Sequence, residues 1–128
     1  MAGESILVVD DNATNTVLVK YLLEVRGYIV QCAEDAQEMA EVLKTFHPSL
    51  ILMDVQLPGT DGLELTRRLK ANPETRHIPV LAVTAYAMTG DREQALAAGC
   101  DGYMSKPIDT RVLPVLIAQL IKDSANKL

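Results

Sequence analysis

The sequence is poor in several residue types, and each scarcity narrows the class of protein. It has only two cysteines, Cys32 and Cys100, far apart among small or apolar neighbours. We expect free, buried thiols of a cytoplasmic protein rather than a disulfide or a metal-binding pair. Aromatic residues make up only 4%, and tryptophan is absent. With no apolar run of about 18 residues and no basic-then-apolar leader, neither a membrane span nor a signal peptide is expected.

The charge balance argues against direct binding of nucleic acid. Acidic residues outnumber basic residues by 17 to 12, which gives a formal net charge of −5. The basic residues are scattered, with only Arg67 and Arg68 adjacent, whereas domains that bind nucleic acid usually carry a basic patch. The 128 residues are 48% hydrophobic and 23% charged. We therefore expect one globular domain over residues 1–128, with its core over about 5–122.

Apolar runs alternate with helical patterns along the whole chain, which is typical of βαβ units and a parallel sheet. The expected strands cover about residues 6–9, 29–33, 50–54, 80–83 and 102–105. Right-handed crossovers then predict a doubly wound (βα)5 fold of the flavodoxin-like α/β class, with helices on both faces of the sheet. The strand order 2-1-3-4-5 fits best because it leaves a switch point between the first and third strands.

Capping residues locate the helices between these strands. Residues suited to the N-cap position precede three of the expected helices, at Asn12, Asp35 and Asp61. Three apolar residues are expected to form the buried stripe of the first helix, namely Leu18, Leu22 and Val25. A fifth helix capped by Asp109 would place Pro114 inside it, where proline is costly. That helix therefore either begins later, near Leu113, or is kinked.

Reactive side chains stand where strands are expected to end: Asp10, Asp11, Asp54, Thr84 and Lys106. Ligands of open α/β sheets bind at this carboxyl edge. Three nearby carboxylates repel one another unless a cation or protons compensate. Hard oxygen ligands without histidine or thiol favour Mg²⁺, or Mn²⁺ as a substitute, over zinc. A lysine and a short hydroxyl can both bind a phosphoryl oxygen. The sequence therefore predicts a site for a divalent cation and a phosphoryl group.

Within this set, Asp54 is the expected phosphoryl acceptor. It stands alone at its strand end, whereas Asp10 and Asp11 form an adjacent pair suited to holding the ion. An ionised carboxylate needs no general base to attack phosphorus, and the product is an aspartyl phosphate. Taken singly, each residue has an ordinary interpretation as a helix-start acid, a turn residue or a solvated loop lysine. Their placement on four strand ends together favours the chemical interpretation.

These residues resemble the receiver domains of two-component response regulators. The resemblance extends from Ile6 to about Ile121 and rests on four motifs: Val9-Asp10-Asp11-Asn12, the segment from Met53 to Gly62, Val83-Thr84-Ala85 and Ser105-Lys106-Pro107. Asp54 and Thr84 are 30 positions apart, and Thr84 and Lys106 are 22 apart, which are spacings typical of that family. The motifs look most like those of stand-alone phosphorelay regulators and of the receivers of hybrid histidine kinases.

The resemblance implies a role for each residue of the site. Asp54 would be phosphorylated, and Lys106 would pair with the phosphoryl group. The Lys106–Pro107 peptide bond would be cis. Asp11 would bind Mg²⁺ directly, as would Asp54 and the backbone carbonyl of Gln56, while Asp10 would act mainly through water. Thr84 and Tyr103 resemble the switch pair that remodels the surface of the fourth helix, fifth strand and fifth helix.

The resemblance also implies partners. The phosphoryl donor would be a histidine kinase or a histidine phosphotransfer protein, and the output a downstream protein target or onward transfer of the phosphoryl group. No output domain is expected, nor any independent substrate, so the protein would not be an enzyme beyond its own phosphorylation and dephosphorylation. We expect a cytoplasmic monomer or weak dimer without direct contact to nucleic acid or membrane.

Two other functional classes share parts of this pattern. A phosphohydrolase of the haloacid dehalogenase type also uses an aspartate nucleophile and Mg²⁺, but it requires an Asp-x-Asp motif where this chain has adjacent Asp10 and Asp11. An electron carrier of the flavodoxin type needs a phosphate-cradling loop and aromatic residues around the flavin. Residues 12–16 are a weak candidate for that loop. A phosphatase assay and the colour of the pure protein would distinguish these classes.

Overall fold

The computed structural model describes residues 3–57, 59–85 and 91–125. Within these residues the strands are β1 (Ser5–Val9), β2 (Ile29–Ala33), β3 (Leu50–Asp54), β4 (Gln56–Leu57), β5 (Thr60–Asp61), β6 (Val80–Thr84) and β7 (Gly102–Ser105). The helices are α1 (Ala13–Glu24), α2 (Ala36–Leu43), α3 (Gly62–Ala71), α4 (Asp91–Ala97) and α5 (Val112–Ala125). Strands and helices therefore alternate as predicted, and β6 and β7 are the fourth and fifth expected strands.

Five of the strands form one parallel sheet in the order β2-β1-β3-β6-β7. This confirms the predicted doubly wound order, with β3 at the centre. Every residue of β3 and of β6 is buried, which is the reason that these strands appear in the sequence as unbroken apolar runs. β4 and β5 form a separate antiparallel pair between β3 and α3, which the sequence pattern did not predict.

The sheet separates two apolar cores because successive side chains of a strand point to opposite faces. Ile51 and Met53 of β3 belong to the core that α2, α3 and α4 cover. Leu50 and Leu52 of the same strand belong to the core that α1 and α5 cover. Helices thus lie on both faces, as expected, and β3 supplies each core with two fully or nearly fully buried residues.

The predicted N-caps are confirmed. The side chain of Asn12 accepts from the N–H of Asn15, that of Asp35 from Glu38, and that of Asp61 from Leu63. The first turns of α1, α2 and α3 are therefore stabilised by short polar side chains that satisfy otherwise unpaired N–H groups. The expected beginning of the fourth helix at Gly90 lies outside the described residues.

The predicted buried stripe of α1 is wrong by one position. Leu18 and Val25 are exposed and Leu22 is only half-buried, whereas Val19 and Leu23 are buried against the sheet. α1 is apolar on two sides, so the spacing of its apolar residues does not decide which side faces the core. The exposed side carries Val17, Leu18, Tyr21 and Val25, at one to four residues' spacing along the helix.

The fifth helix begins later than Asp109, at Val112. Pro114 therefore lies in the first turn, where its missing N–H has no intrahelical carbonyl to bind. Asp109 still organises this end of the helix, because its carboxylate accepts from the N–H groups of Arg111 and Val112. Of the two alternatives left by the sequence, the structure shows the later beginning.

The two cysteines are free thiols, as predicted. Cys32 is half-buried on β2, and Cys100 is buried in the connection between α4 and β7. Burial raises the pKa of both thiols above the ordinary value. No helix among the described residues has both the length and the apolar character that crossing a membrane requires.

Candidate functional site

The sheet brings the predicted site residues to one edge. Asp54 ends the central strand β3 and Thr84 ends β6, while Asp10 and Asp11 follow β1 directly. Lys106 follows the last residue of β7. The register pairs Asp54 with Val83 and Thr84 with Ser105, so the carboxyl ends of these strands lie level with one another.

The three carboxylates converge closely. One oxygen from each of Asp10, Asp11 and Asp54 can be chosen so that all lie within 4.8 Å of one another. Asp10 and Asp54 are buried, with exposed fractions of 7% and 3%, whereas Asp11 is exposed. The carboxylates of Asp10 and Asp54 are thus shielded from solvent, whereas that of Asp11 faces it. Carboxylates this close repel one another unless a cation or protons compensate.

Lys106 supplies part of the compensating charge. Its Nζ lies 3.4 Å from Asp54 Oδ2 and 3.7 Å from Asp10 Oδ2. The backbone N–H of Lys106 donates to the carbonyl of Thr84 at 2.7 Å. This hydrogen bond fixes the backbone from which the lysine side chain extends. The Lys106–Pro107 peptide bond is cis, the geometry that the resemblance implies.

The electrostatic environment of Asp54 is unusual for an aspartate. Burial, together with the smaller effect of the Asp10 carboxylate, raises the pKa of the Asp54 carboxyl from 3.8 to about 6. The Gln56 N–H, which donates to Asp54 Oδ1 at 3.0 Å, and the Lys106 ammonium oppose the rise in pKa. Desolvation is the dominant cause, so a cation placed against this carboxylate would favour its ionised form.

Backbone contacts fix the position of Asp54 from both sides. The N–H of Val55 donates to the Val83 carbonyl, and the N–H of Gly62 donates to the Val55 carbonyl, each at 2.9 Å. Gly62 packs so tightly that a Cβ there would overlap the carbonyl oxygen of Asp54 and lie 2.8 Å from Val55 Cα. Only glycine, which has no Cβ, allows the first residue of α3 to pack this closely against the backbone at the end of β3.

The structure adds contacts of the Gln56 side chain that the sequence did not predict. Gln56 was expected to contribute its backbone carbonyl as a metal ligand, and its side-chain amide Nε2 in addition donates to Thr84 Oγ1 at 2.6 Å. The N–H of Ala85 donates to Gln56 Oε1 at 3.0 Å. Position alone, two residues after Asp54, was the available signal, and it does not reveal where a flexible side chain points.

Tyr103 lies on β7, opposite Ala82 of β6. Its ring is half-buried against the core that α2, α3 and α4 cover. The two residues expected to form a switch pair thus lie on neighbouring strands, Thr84 at the site and Tyr103 two register positions behind it.

The donor set fits Mg²⁺. Carboxylate and carbonyl oxygens are the ligands that Mg²⁺ prefers, and it usually takes one or two carboxylates and retains several waters. The exposed side of Asp11 leaves room for such waters. Asp11, Asp54 and the Gln56 carbonyl could hold the ion, with Asp10 close enough to bind one of its waters.

Comparisons with known proteins agree with this geometry. Residues 6–118 match the family model of the response regulator receiver domain. The chain is 47% identical over 105 residues to the polar-differentiation response regulator DivK of Brucella ovis, covering 82% of this chain and 85% of that protein. The response regulators of that name from Brucella suis and Brucella abortus match to the same extent.

Solved structures agree as well. The receiver domain of a sensor histidine kinase from Pseudomonas aeruginosa PAO1 is 35% identical, with a TM-score of 0.84 over 94% of this chain and 99% of that one. That structure is described with a magnesium ion coordinated in its active-site cleft. The receiver domain of a histidine kinase from Syntrophus aciditrophicus is 32% identical, with a TM-score of 0.86 over 94% and 92% of the two chains.

Proposed function

The chain belongs to the response regulator receiver domain family of two-component signalling, and from this membership we propose that it accepts a phosphoryl group on Asp54. The observation that carries the proposal is the position of that carboxylate. It ends the central strand, is 3% exposed, and lies between the Asp10–Asp11 pair and the Lys106 ammonium. Asp10 also approaches Lys106, at 3.7 Å, but Asp54 lies closer to the ammonium, at 3.4 Å, and is the more buried of the two.

In the proposed reaction the donor is a phosphohistidine of a histidine kinase or a histidine phosphotransfer protein. An Asp54 carboxylate oxygen attacks phosphorus, the P–N bond to the imidazole breaks, and the imidazole leaves with a proton taken from solvent. The product is an aspartyl phosphate. Lys106 neutralises charge on the phosphoryl oxygens, and its Nζ already lies 3.4 Å from the acceptor carboxylate.

Magnesium is proposed as the cofactor, with Mn²⁺ as a possible substitute. When bound it would neutralise the acidic cluster and the incoming phosphoryl oxygens. Asp11, Asp54 and the Gln56 carbonyl would bind it directly, and Asp10 would bind through water. The ion would also keep Asp54 ionised, which matters because burial raises the pKa of this carboxyl to about 6.

The exposed apolar side of α1 is proposed as the surface on which the donor protein docks. α1 begins two residues after Asp11, so this side of the helix adjoins the acceptor edge. Tyr21 is 68% exposed and Val17 69% exposed, and contiguous apolar residues of this kind are typical of protein interaction sites. A helix of the donor lying along α1 would bring its histidine over Asp54.

The output is proposed to run through Thr84 and Tyr103. The Thr84 hydroxyl would move toward the phosphoryl oxygens, and the Tyr103 ring would then turn into the vacated space. This changes the surface of α4, β7 and α5, which binds a downstream protein or supports onward transfer. We place these events in the cytoplasm, since both cysteines are free thiols, as in a reducing compartment.

The experiment that tests the acceptor assignment compares Asp54→Ala with Asp123→Ala, which removes an exposed carboxylate of α5. Wild type and Asp123→Ala should become labelled by a phosphohistidine donor in the presence of Mg²⁺. Asp54→Ala should not. Undiminished labelling of Asp54→Ala would show that another residue is the acceptor.

The switch is tested with Thr84→Ala. This variant should still bind beryllofluoride, a phosphoryl mimic, because the hydroxyl is not the nucleophile. Amide chemical shifts of residues 91–112 should respond to beryllofluoride in wild type and respond much less in Thr84→Ala. Equal responses in both proteins would rule out the threonine as the link.

A further inference from the structure

The side chain of Gln56 connects the acceptor strand to the switch threonine. Its Nε2 donates to Thr84 Oγ1 at 2.6 Å and its Oε1 accepts from the Ala85 N–H at 3.0 Å. The Ala85 N–H can only donate, so it fixes which end of the amide carries the oxygen. Thr84 is 2% exposed, so water competes poorly for the hydrogen bond to its hydroxyl, whereas the hydrogen bond from Ala85 is exposed.

The same residue also binds the acceptor. The Gln56 backbone N–H donates to Asp54 Oδ1 at 3.0 Å, and β4 pairs Gln56 with Asp61 directly before α3. The backbone of Gln56 is thus fixed beside the carboxylate while its side chain reaches across to β6. One residue contacts both the group that would be phosphorylated and the group that would respond.

We propose that the Gln56 side chain is a positioning residue, a clamp that holds Thr84 and Ala85 in the unphosphorylated arrangement and opens when the switch operates. This inference rests on the proposed function and deepens it. The two side-chain hydrogen bonds of Gln56, to Thr84 Oγ1 and from Ala85 N, constitute the clamp. They stabilise the arrangement in which the Thr84 oxygen accepts from the amide and is held beside Gln56 rather than moved toward the acceptor.

The clamp sets how much of the protein occupies the switched state without a signal. A net hydrogen bond is worth roughly a twofold to tenfold change in an equilibrium, so removal of the clamp should raise the switched fraction by about threefold to tenfold. A ligand that prefers the switched state then binds tighter by the same factor while that state remains the minor one. The clamp therefore suppresses output before phosphorylation at the expense of affinity for the phosphoryl group.

The test uses Gln56→Met, which keeps the side-chain length without the amide, and Gln56→Asn, which keeps the amide but is one methylene too short to reach both partners. Gln37→Met, at an exposed position of α2, is the matched control. Beryllofluoride is titrated at saturating Mg²⁺ while amide spectra are recorded. Both Gln56 variants should bind it about threefold to tenfold tighter, and their free-state Ala85 and Tyr103 resonances should lie closer to the beryllofluoride-bound positions.

A double-mutant cycle separates the clamp from a general loosening of the site. In a Thr84→Ala background, Gln56→Met should no longer tighten beryllofluoride binding to the same extent, because the main partner of the clamp is already gone. An equal gain in both backgrounds would overturn the inference. So would Gln56 variants that bind like wild type or more weakly.

The outcomes distinguish the clamp from the proposed function on which it rests. If wild type fails to bind beryllofluoride with Mg²⁺, the acceptor assignment is wrong and the clamp is wrong with it. If wild type binds it and the Gln56 variants match wild type, only the clamp is overturned.

Discussion

Replacement of Asp54 by asparagine should stabilise the metal-free protein near neutral pH. Burial raises the pKa of the Asp54 carboxyl from 3.8 to about 6, so the folded state holds on to a proton that the unfolded chain has already lost. Between about pH 4 and 6 the folded state therefore binds more protons, and the stability of wild type falls as the pH rises through this window. Asparagine cannot ionise, and it retains an oxygen that can accept from the Gln56 N–H.

The magnitude follows from the two pKa values. Each unit of pKa difference is worth about 1.36 kcal/mol, so the ionised carboxylate costs up to about 3 kcal/mol above pH 6. The value already includes the favourable Lys106 contact, since that contact opposes the rise in pKa. Asp54→Asn should accordingly be more stable than wild type by about 2–3 kcal/mol near neutral pH, and the two proteins should converge near pH 4.

Urea unfolding from about pH 4 to 8 in the presence of EDTA measures the difference. Asp123→Asn, at an exposed position, is the control and should follow wild type throughout. Added Mg²⁺ should stabilise wild type more than Asp54→Asn, because the ion binds the carboxylate of the folded state. A stability difference that does not change with pH, or an asparagine variant less stable than wild type near neutral pH, would refute the reasoning.

Three further predictions concern the site and its approaches. Asp11→Ala should weaken Mg²⁺ binding more than Asp10→Ala does, since only the former is proposed as a direct ligand; calorimetric titration measures both, and equal losses would contradict the assignment. Gly62→Ala should destabilise the fold by about 1–3 kcal/mol in urea unfolding, because its Cβ would meet the Asp54 carbonyl; unchanged stability would show that the strand can yield. Tyr21→Asp should slow phosphotransfer from a protein donor by about tenfold while leaving transfer from acetyl phosphate unchanged; equal slowing with both donors would argue against docking on α1.

The sequence predicts the strand order and the edge of the sheet at which the site lies. Both follow from the way apolar runs and helical segments alternate along the whole chain. Unbroken apolar runs identify buried parallel strands, and a parallel sheet brings every strand's carboxyl end to the same side. The sequence therefore predicts that Asp54 and Thr84 lie at one edge of the sheet. The N-caps could also be predicted from the sequence. A short polar side chain before a helix accepts from N–H groups of the first turn, and this local interaction does not depend on how the helix packs.

The rest depended on packing and on side-chain direction. α1 is apolar on two sides, and only the sheet decides that Val19 and Leu23 are buried while Leu18 is exposed. α5 begins at Val112 because a proline fits the first turn better than the second. The reach of Gln56 to Thr84 has no sequence signal, because a glutamine side chain has several rotatable bonds and finds its partners only in the folded protein.

The partial burial of Cys32 and the full burial of Cys100 have a practical consequence for labelling experiments. Reaction with maleimides and similar reagents requires the thiolate, and the raised pKa values of Cys32 and Cys100 keep little of it present near neutral pH. Cys100 is in addition shielded from reagents by the surrounding core. A single cysteine introduced at an exposed position, such as Gln37 or Val115, should therefore react well ahead of the native thiols. A fluorophore can then be attached at one chosen site with both native cysteines left in place.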